Sequence, residues 1–306
     1  MINIQDFENY VKEQRAASLV SPAALAYRSF IELEYDRNGE DFFAASASLA
    51  VEALRVACWA NFQEGEKEFT KKMLKHLIEK DESIPRMNGR EAAEYFADTY
   101  PEHMYRLSLS NTQSRRSRAG KEFEAIIELV LLGAGVQIDS QGKIGKELFM
   151  NKGLGKLVDL VSPGVVEFSI NKNLTCLISA KTTLRERWQE VPEEMSRTGA
   201  SKMYLATLDD AITKATLNNI YEQNITIVTT GDIKNEKYRN DSHVITFERL
   251  IRICKATKND WTGHEFTDEQ KTDIRAHLDD QCRKSSEYPF ISEKYRAFRD
   301  EFEKMF

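Results

Sequence analysis

Four short runs rich in β-branched residues, "KLVDLVS", "LTCLISAK", "KMYLATL" and "ITIVTT", constrain the fold of this chain more than any other feature. They are shorter than helices, and between them lie longer helical patterns, "DDAITKATLNNIYEQ" and then "FERLIRICKAT". Strands alternating with helices from about residue 114 to 256 predict an α/β core around a mixed sheet.

The flanks carry a different texture. In the first hundred residues, "SPAALAYRSFIELEYDR" offers Ser21 as an N-cap and Pro22 at the first helical position. The stretch "EDFFAASASLAVEALRVACWANF" is long and apolar-rich, and "EKEFTKKMLKHLIEK" is amphipathic with its lysines on one face. The tail, "DEQKTDIRAHLDDQCRKS" and "ISEKYRAFRDEFEKMF", returns to helix. This predicts a helical lobe over 1–110, a core over 111–256, and C-terminal helices over 257–306 packed on that core. A chain of 306 residues can bury a substantial core, and its few glycines and prolines argue against long disordered linkers. No internal repeat is present.

Charges interrupt the strand-like runs where they are hardest to bury. Asp159 stands inside "KLVDLVS", where alternation puts it on the face of Val161, although carboxylates are depleted in strands. Lys181 closes the next run on the face it shares with Ser179. Glu194 follows in the first turn of a helix that Pro192 would open. Two carboxylates and a lysine converging on a sheet edge would suit a hard divalent cation and a phosphodiester substrate. The same residues also fit a plain surface ion pair with Glu194 complementing a helix dipole.

Arginines cluster nearby. Arg185, Glu186 and Arg187 follow Lys181 closely; arginine can bridge O6 and N7 of guanine, and glutamate can accept from N4 of cytosine. A solvated, self-paired triplet is the competing reading. Upstream, "QSRRSRAGKEFE" packs Arg115, Arg116, Arg118 and Lys121 at what reads as a helix start, a place that favours phosphate. Gln113 is placed to reach a base edge, and Glu124 to add a carboxylate; for either alone, a plain surface role competes.

Other classes are excluded by what the sequence lacks. Cys58, Cys176, Cys254 and Cys282 are far apart, with no CxxC pair and no histidine at zinc spacing, as for idle thiols in a reducing cytoplasm. No run of about 18 apolar residues exists, and "MINIQDFENY" has neither a basic start nor an apolar h-region. A soluble protein of a bacterial or archaeal cytoplasm is expected, with no membrane partner. The net charge of -6 does not advertise a polyanion partner, but a nucleic-acid footprint is a local patch rather than a sum.

Taken together, "SRAGKEFE", "VDLVS", "SAKTTLRERW" and Glu194 resemble type II restriction endonucleases of the EcoRII/PspGI/SsoII group, which cut CCNGG or CCWGG sites. The resemblance covers residues 111 to 195 most closely, and is nearest to the stand-alone CCNGG cutters. It implies a PD-(D/E)XK restriction-endonuclease-like core, with the central sheet flanked by helices. Asp159, Lys181 and Glu194 match the variant motif in which the second acid has moved to the following helix, and Ser179 stands in the vacated position. Val158 replaces the usual proline before the aspartate. Glu124 matches the helix-borne acid, Arg185, Glu186 and Arg187 the triplet that reads the C:G pairs, and Gln113 a minor-groove contact. The group flips the central nucleotides; Arg55 and Trp59, four apart on "VEALRVACWA", would sandwich such a base, while a core role for Trp59 competes. The resemblance further implies Mg2+ as cofactor, with Asp159 and Glu194 as its ligands, a homodimer on double-stranded DNA, and a cognate cytosine methyltransferase as functional partner. Rival expectations are a PD-(D/E)XK nuclease of other specificity and a non-catalytic DNA-binding regulator on the same fold.

Overall fold

The computed structural model describes every residue except 1, 155–157, 185–194, 197 and 306. Among the described residues a six-stranded sheet runs in sequence order: β1 (Asp139–Ser140), β2 (Leu160–Ser162), β3 (Cys176–Ala180), β4 (Met203–Ala206), β5 (Ile225–Thr229) and β6 (Val244–Thr246). The first three strands pair antiparallel. From β3 to β6 every pair is parallel. The sheet is therefore mixed, and the four β-branched runs supply β2 to β5. Two strands escape the sequence reading, β1 and β6, because they are two and three residues long and each runs straight into a helix, at Gln141 and Phe247, whose pattern hides theirs.

Parallel strands joined by helices are covered on both faces, so their sequences read as unbroken apolar runs. All five residues of β3 are buried. On one face Val161, Leu177, Met203, Leu205, Ile225 and Ile227 join Phe149, Phe168, Leu217 and Ile220 in a single apolar cluster. Fully burying side chains of this size contributes roughly 1.5–3 kcal/mol each. Behind the sheet, the amphipathic Phe247–Asn259 helix buries Leu250, Ile251 and Cys254. Three of the cysteines are buried and all four are free thiols.

The chain divides into two compact units, and neither is a continuous segment. One holds residues 1–29 and 56–122, the other 30–55 and 123–306. This differs from the linear division expected at 110 and 256, because two long helices, Glu40–Glu79 and Pro101–Gly133, each contribute residues to both units. Ser46 breaks the helical geometry of the first at φ -132°, ψ 27°. Ser48, two residues on, donates its backbone N–H to Glu248 at 2.6 Å and its hydroxyl at 2.8 Å. Its apolar stretch buries Phe43, Ala47, Ala50, Val51 and Leu54 completely, as a core helix does. In the smaller unit Phe7, Val11, Phe69, Met73, Leu77 and Tyr100 form a core of their own. Ser21 caps the Pro22–Glu32 helix, accepting from the Ala24 amide at 3.2 Å.

The tail helices Asp268–Lys284 and Pro289–Glu303 belong to the larger unit and meet its sheet through polar groups. Gln281, fully buried, donates to Asp139 Oδ1 at 2.7 Å and accepts from the Ser140 amide at 3.1 Å. Asp139 Oδ2 also accepts from the Val165 amide at 2.8 Å. A second buried acid, Glu167, lies close by: a Cβ at Gly164 would come within 2.7 Å of Glu167 Oε2 and 2.9 Å of Asp139 Oδ2. Burial, reinforced by the charge of Asp139, pushes the Glu167 carboxyl up to about 8. The folded chain thus keeps a proton that the unfolded chain releases near 4.5, and stability should fall as pH rises through that window. A Glu167→Gln variant should flatten this decline; urea unfolding at about pH 5 and about pH 8 would measure it, and an unchanged slope would remove Glu167 as its source.

Candidate active site

Asp159 lies one residue before β2 rather than inside it, a correction to the alternation reading, but it remains in the ladder. Its backbone N–H donates to the Ile178 carbonyl at 3.0 Å, and the β2–β3 register sets it opposite Ser179. Lys181, the residue after β3, donates its own N–H to the Ala206 carbonyl at 2.9 Å. Both residues therefore stand at the same end of the sheet, where the parallel strands terminate and where open α/β sheets place their ligands.

The side chains meet there. Lys181 Nζ is 3.5 Å from Asp159 Oδ2, with the two side chains only 16% and 10% exposed. The same carboxylate oxygen accepts the Ala180 amide at 2.7 Å. Burial raises the Asp159 carboxyl above its ordinary value, against the opposing pull of the Lys181 ammonium and the Ala180 N–H. A buried oxygen ligand whose ionised form is disfavoured and which is held by a single ammonium suits a hard divalent cation, which would restore the ionised form. Among the described residues no group of three or more His, Cys, Asp or Glu is arranged to hold a metal. Glu194, the other expected ligand, lies outside the described residues, as do Arg185, Glu186 and Arg187. The chain leading to that triplet is fixed: Leu184 is buried and its N–H donates to Asp209 Oδ2 at 2.8 Å.

Two further groups hold the Asp159 backbone. Gln141, the residue after β1, donates its N–H to the Asp159 carbonyl at 2.9 Å and its side-chain amide to the Val158 carbonyl at 3.0 Å. No sequence signal marks Gln141, because it acts on carbonyls that every residue carries. Glu124 is half-buried on the Pro101–Gly133 helix of the same unit.

The basic cluster requires a correction. The helix that carries Gln113, Arg115, Arg116 and Arg118 starts at Pro101, so these residues are mid-helix and the backbone amides around them are not free for phosphate. Arg115 pairs with the buried Glu66 through Nε and Nη2. Arg118 donates to the Val20 carbonyl and lies over the Phe62 ring at 4.8 Å. Arg116 and Gln113 are exposed, and Gln113 borders a cleft of roughly 400 Å³ with Lys12, Arg106 and Ser110. Any phosphate contact here must come from side chains alone.

Arg55 and Trp59 are both exposed on the Glu40–Glu79 helix. Trp59 is 44% exposed, which removes the core alternative for it. The Arg115 guanidinium sits 6.0 Å from its ring centroid, and the Phe62 ring 5.9 Å away.

Known proteins bear on this arrangement. A family model described as EcoRII C terminal matches residues 86–251. The type II restriction enzyme SsoII of Shigella sonnei is 47% identical over 291 residues, covering 95% of this chain and 95% of that protein. Among solved structures, metal-depleted Ecl18kI in complex with uncleaved, modified DNA is similar with a TM-score of 0.91 at 45% identity, covering 98% of this chain and 100% of that one. The PspGI complex with substrate DNA is similar in fold alone, with a TM-score of 0.56 at 15% identity over 79% of this chain and 94% of that one.

Proposed function

Because the chain belongs to the EcoRII C-terminal family and is a type II restriction endonuclease of the SsoII/Ecl18kI type, we propose that it makes Mg2+-dependent double-strand cuts at CCNGG sites as a homodimer. The observation that carries the catalytic part is the Lys181–Asp159 pair, 3.5 Å apart and largely buried at the ends of the parallel strands. The solved Ecl18kI complexes are described as metal-depleted and holding uncleaved DNA, which supports metal dependence here as well.

In this reading Asp159 and Glu194 are the oxygen ligands, with Glu124 as an accessory acid. When bound, Mg2+ neutralises charge at the scissile phosphate and lowers the pKa of water. Lys181 orients the attacking water and donates to a non-bridging phosphate oxygen, where negative charge grows in the transition state. Its ammonium is already directed by Asp159, so little reorganisation is needed. Arg185, Glu186 and Arg187 of each protomer read one CC/GG half-site from the major groove, with the dimer axis through the central pair. Gln113 contacts the minor groove beside that pair, and the exposed Arg116 lends positive charge near the backbone, with Arg115 and Arg118 beside it held by Glu66 and the Val20 carbonyl. The exposed Trp59 and Arg55 stack on the flipped central base. Cleavage falls before the first C on each strand and leaves the whole site as a 5′ overhang. A cognate cytosine methyltransferase protects the host site.

Digestion of an unmethylated plasmid of known sequence, with Mg2+ and with EDTA, tests this reading. Discrete Mg2+-dependent cuts at every CCNGG are expected. Cuts elsewhere would keep the nuclease and discard the specificity; specific binding without any cut would indicate a regulator on this fold.

A further inference from the structure

We propose that Gln141 is a positioning residue for the cation site, acting through the backbone that carries Asp159. This rests on the assignment of Asp159 as a metal ligand.

The carboxylate of Asp159 can hold a cation only if its peptide is fixed, yet Asp159 lies just outside β2. Strand pairing supplies one restraint, from the Asp159 N–H to the Ile178 carbonyl at 3.0 Å. Gln141 supplies two more from the other flank, to the Asp159 carbonyl at 2.9 Å and the Val158 carbonyl at 3.0 Å. Asp159 is thus bonded on both its N–H and its C=O, to two different strands' neighbours.

Gln141 is itself anchored. It follows β1 directly, and β1 is held by the buried Gln281 through Asp139 Oδ1 at 2.7 Å and the Ser140 N–H at 3.1 Å. A chain of hydrogen bonds therefore runs from the Asp268–Lys284 helix through β1 and Gln141 to the Asp159 peptide. The last link, from the Gln141 side chain to the Val158 carbonyl, is the one nearest Asp159 that a substitution can remove without cutting the main chain. Groups that orient a ligand without touching the ion typically change metal affinity or activity by about 10–100-fold when removed. Gln141 works on the ligand's backbone, and about tenfold is the expected size.

The test uses the full chain with Gln141→Met, which keeps length and loses the donor, and Gln141→Glu, which turns an acceptor toward the Val158 carbonyl. Mn2+ binding in the absence of DNA, followed by electron paramagnetic resonance, should weaken by about tenfold in Gln141→Met and further in Gln141→Glu. The Mg2+ concentration for half-maximal plasmid cleavage should rise in parallel, with DNA binding in EDTA unchanged. Whichever variant keeps the wild-type thermal unfolding profile decides the matter. Wild-type Mn2+ binding in that variant overturns the role of Gln141. Asp159→Asn runs beside it: if Asp159→Asn also binds Mn2+ as wild type, the assignment of Asp159 fails instead.

Discussion

Asp159→Asn is expected to bind its DNA site and to cleave it about 10³-fold more slowly or not at all, since a bound metal contributes several kcal/mol of charge stabilisation at the phosphate. Asparagine keeps the shape and still accepts the Ala180 amide, which donates to Asp159 Oδ2 at 2.7 Å. What it loses is the negative charge that faces Lys181 and would hold a cation. The pairing of β2 with β3 should persist, because it runs through the backbone, with the residue-159 N–H donating to the Ile178 carbonyl at 3.0 Å. Gel-shift binding in EDTA and cleavage in Mg2+ separate the two effects. Cleavage within threefold or so of wild type would end the assignment of Asp159 as a ligand.

Lys181→Ala should match that loss in rate, by about 10²–10³-fold, for a different reason. The lysine is an electrostatic donor aimed at developing charge, so its removal should leave DNA binding intact and spare Mn2+ binding. Lys181→Arg is not expected to restore activity, because a planar guanidinium cannot replace a compact ammonium 3.5 Å from Asp159 in a side chain only 16% exposed. Undiminished cleavage by Lys181→Ala would mean that the pair at the strand ends is a structural ion pair.

Asp159 and Lys181 stand out in the sequence because a carboxylate inside one apolar run and a lysine closing the next are residues that strand propensity disfavours. The rest of the site was hidden for physical reasons. Gln141 reaches its targets through backbone carbonyls, and a two-residue strand such as β1 leaves no periodicity to find. The misplaced start of the long helix has another cause. Its segment "SLSNTQSRRSRAG" is full of residues that favour turns, yet Asn111 is buried, accepting from Arg15 at 2.6 Å and donating to Thr70 at 3.1 Å. Tertiary partners there satisfy a side chain that would otherwise compete with the helix backbone. The overall class was legible because four of the six described strands lie in apolar, β-branched runs set apart from the helices around them.

The discontinuous units also set an order of events during synthesis. Residues 30–55 emerge early but belong to the unit completed by residues 123–306. Ser48 must wait for Glu248, 200 residues later, and Phe30 for Phe290, whose ring centroid ends 4.8 Å away. At 5–20 residues per second, the first of these delays alone is roughly 10–40 s. Until residues 123–306 emerge, Phe43, Val51 and Leu54, which are fully buried in the finished molecule, lack most of the unit to which they belong. The nascent chain therefore carries an apolar helical stretch whose unit stays incomplete for most of its translation. The end of the sheet that pairs Asp159 with Lys181, where β3 and β4 terminate, emerges before the helix finds its last partners.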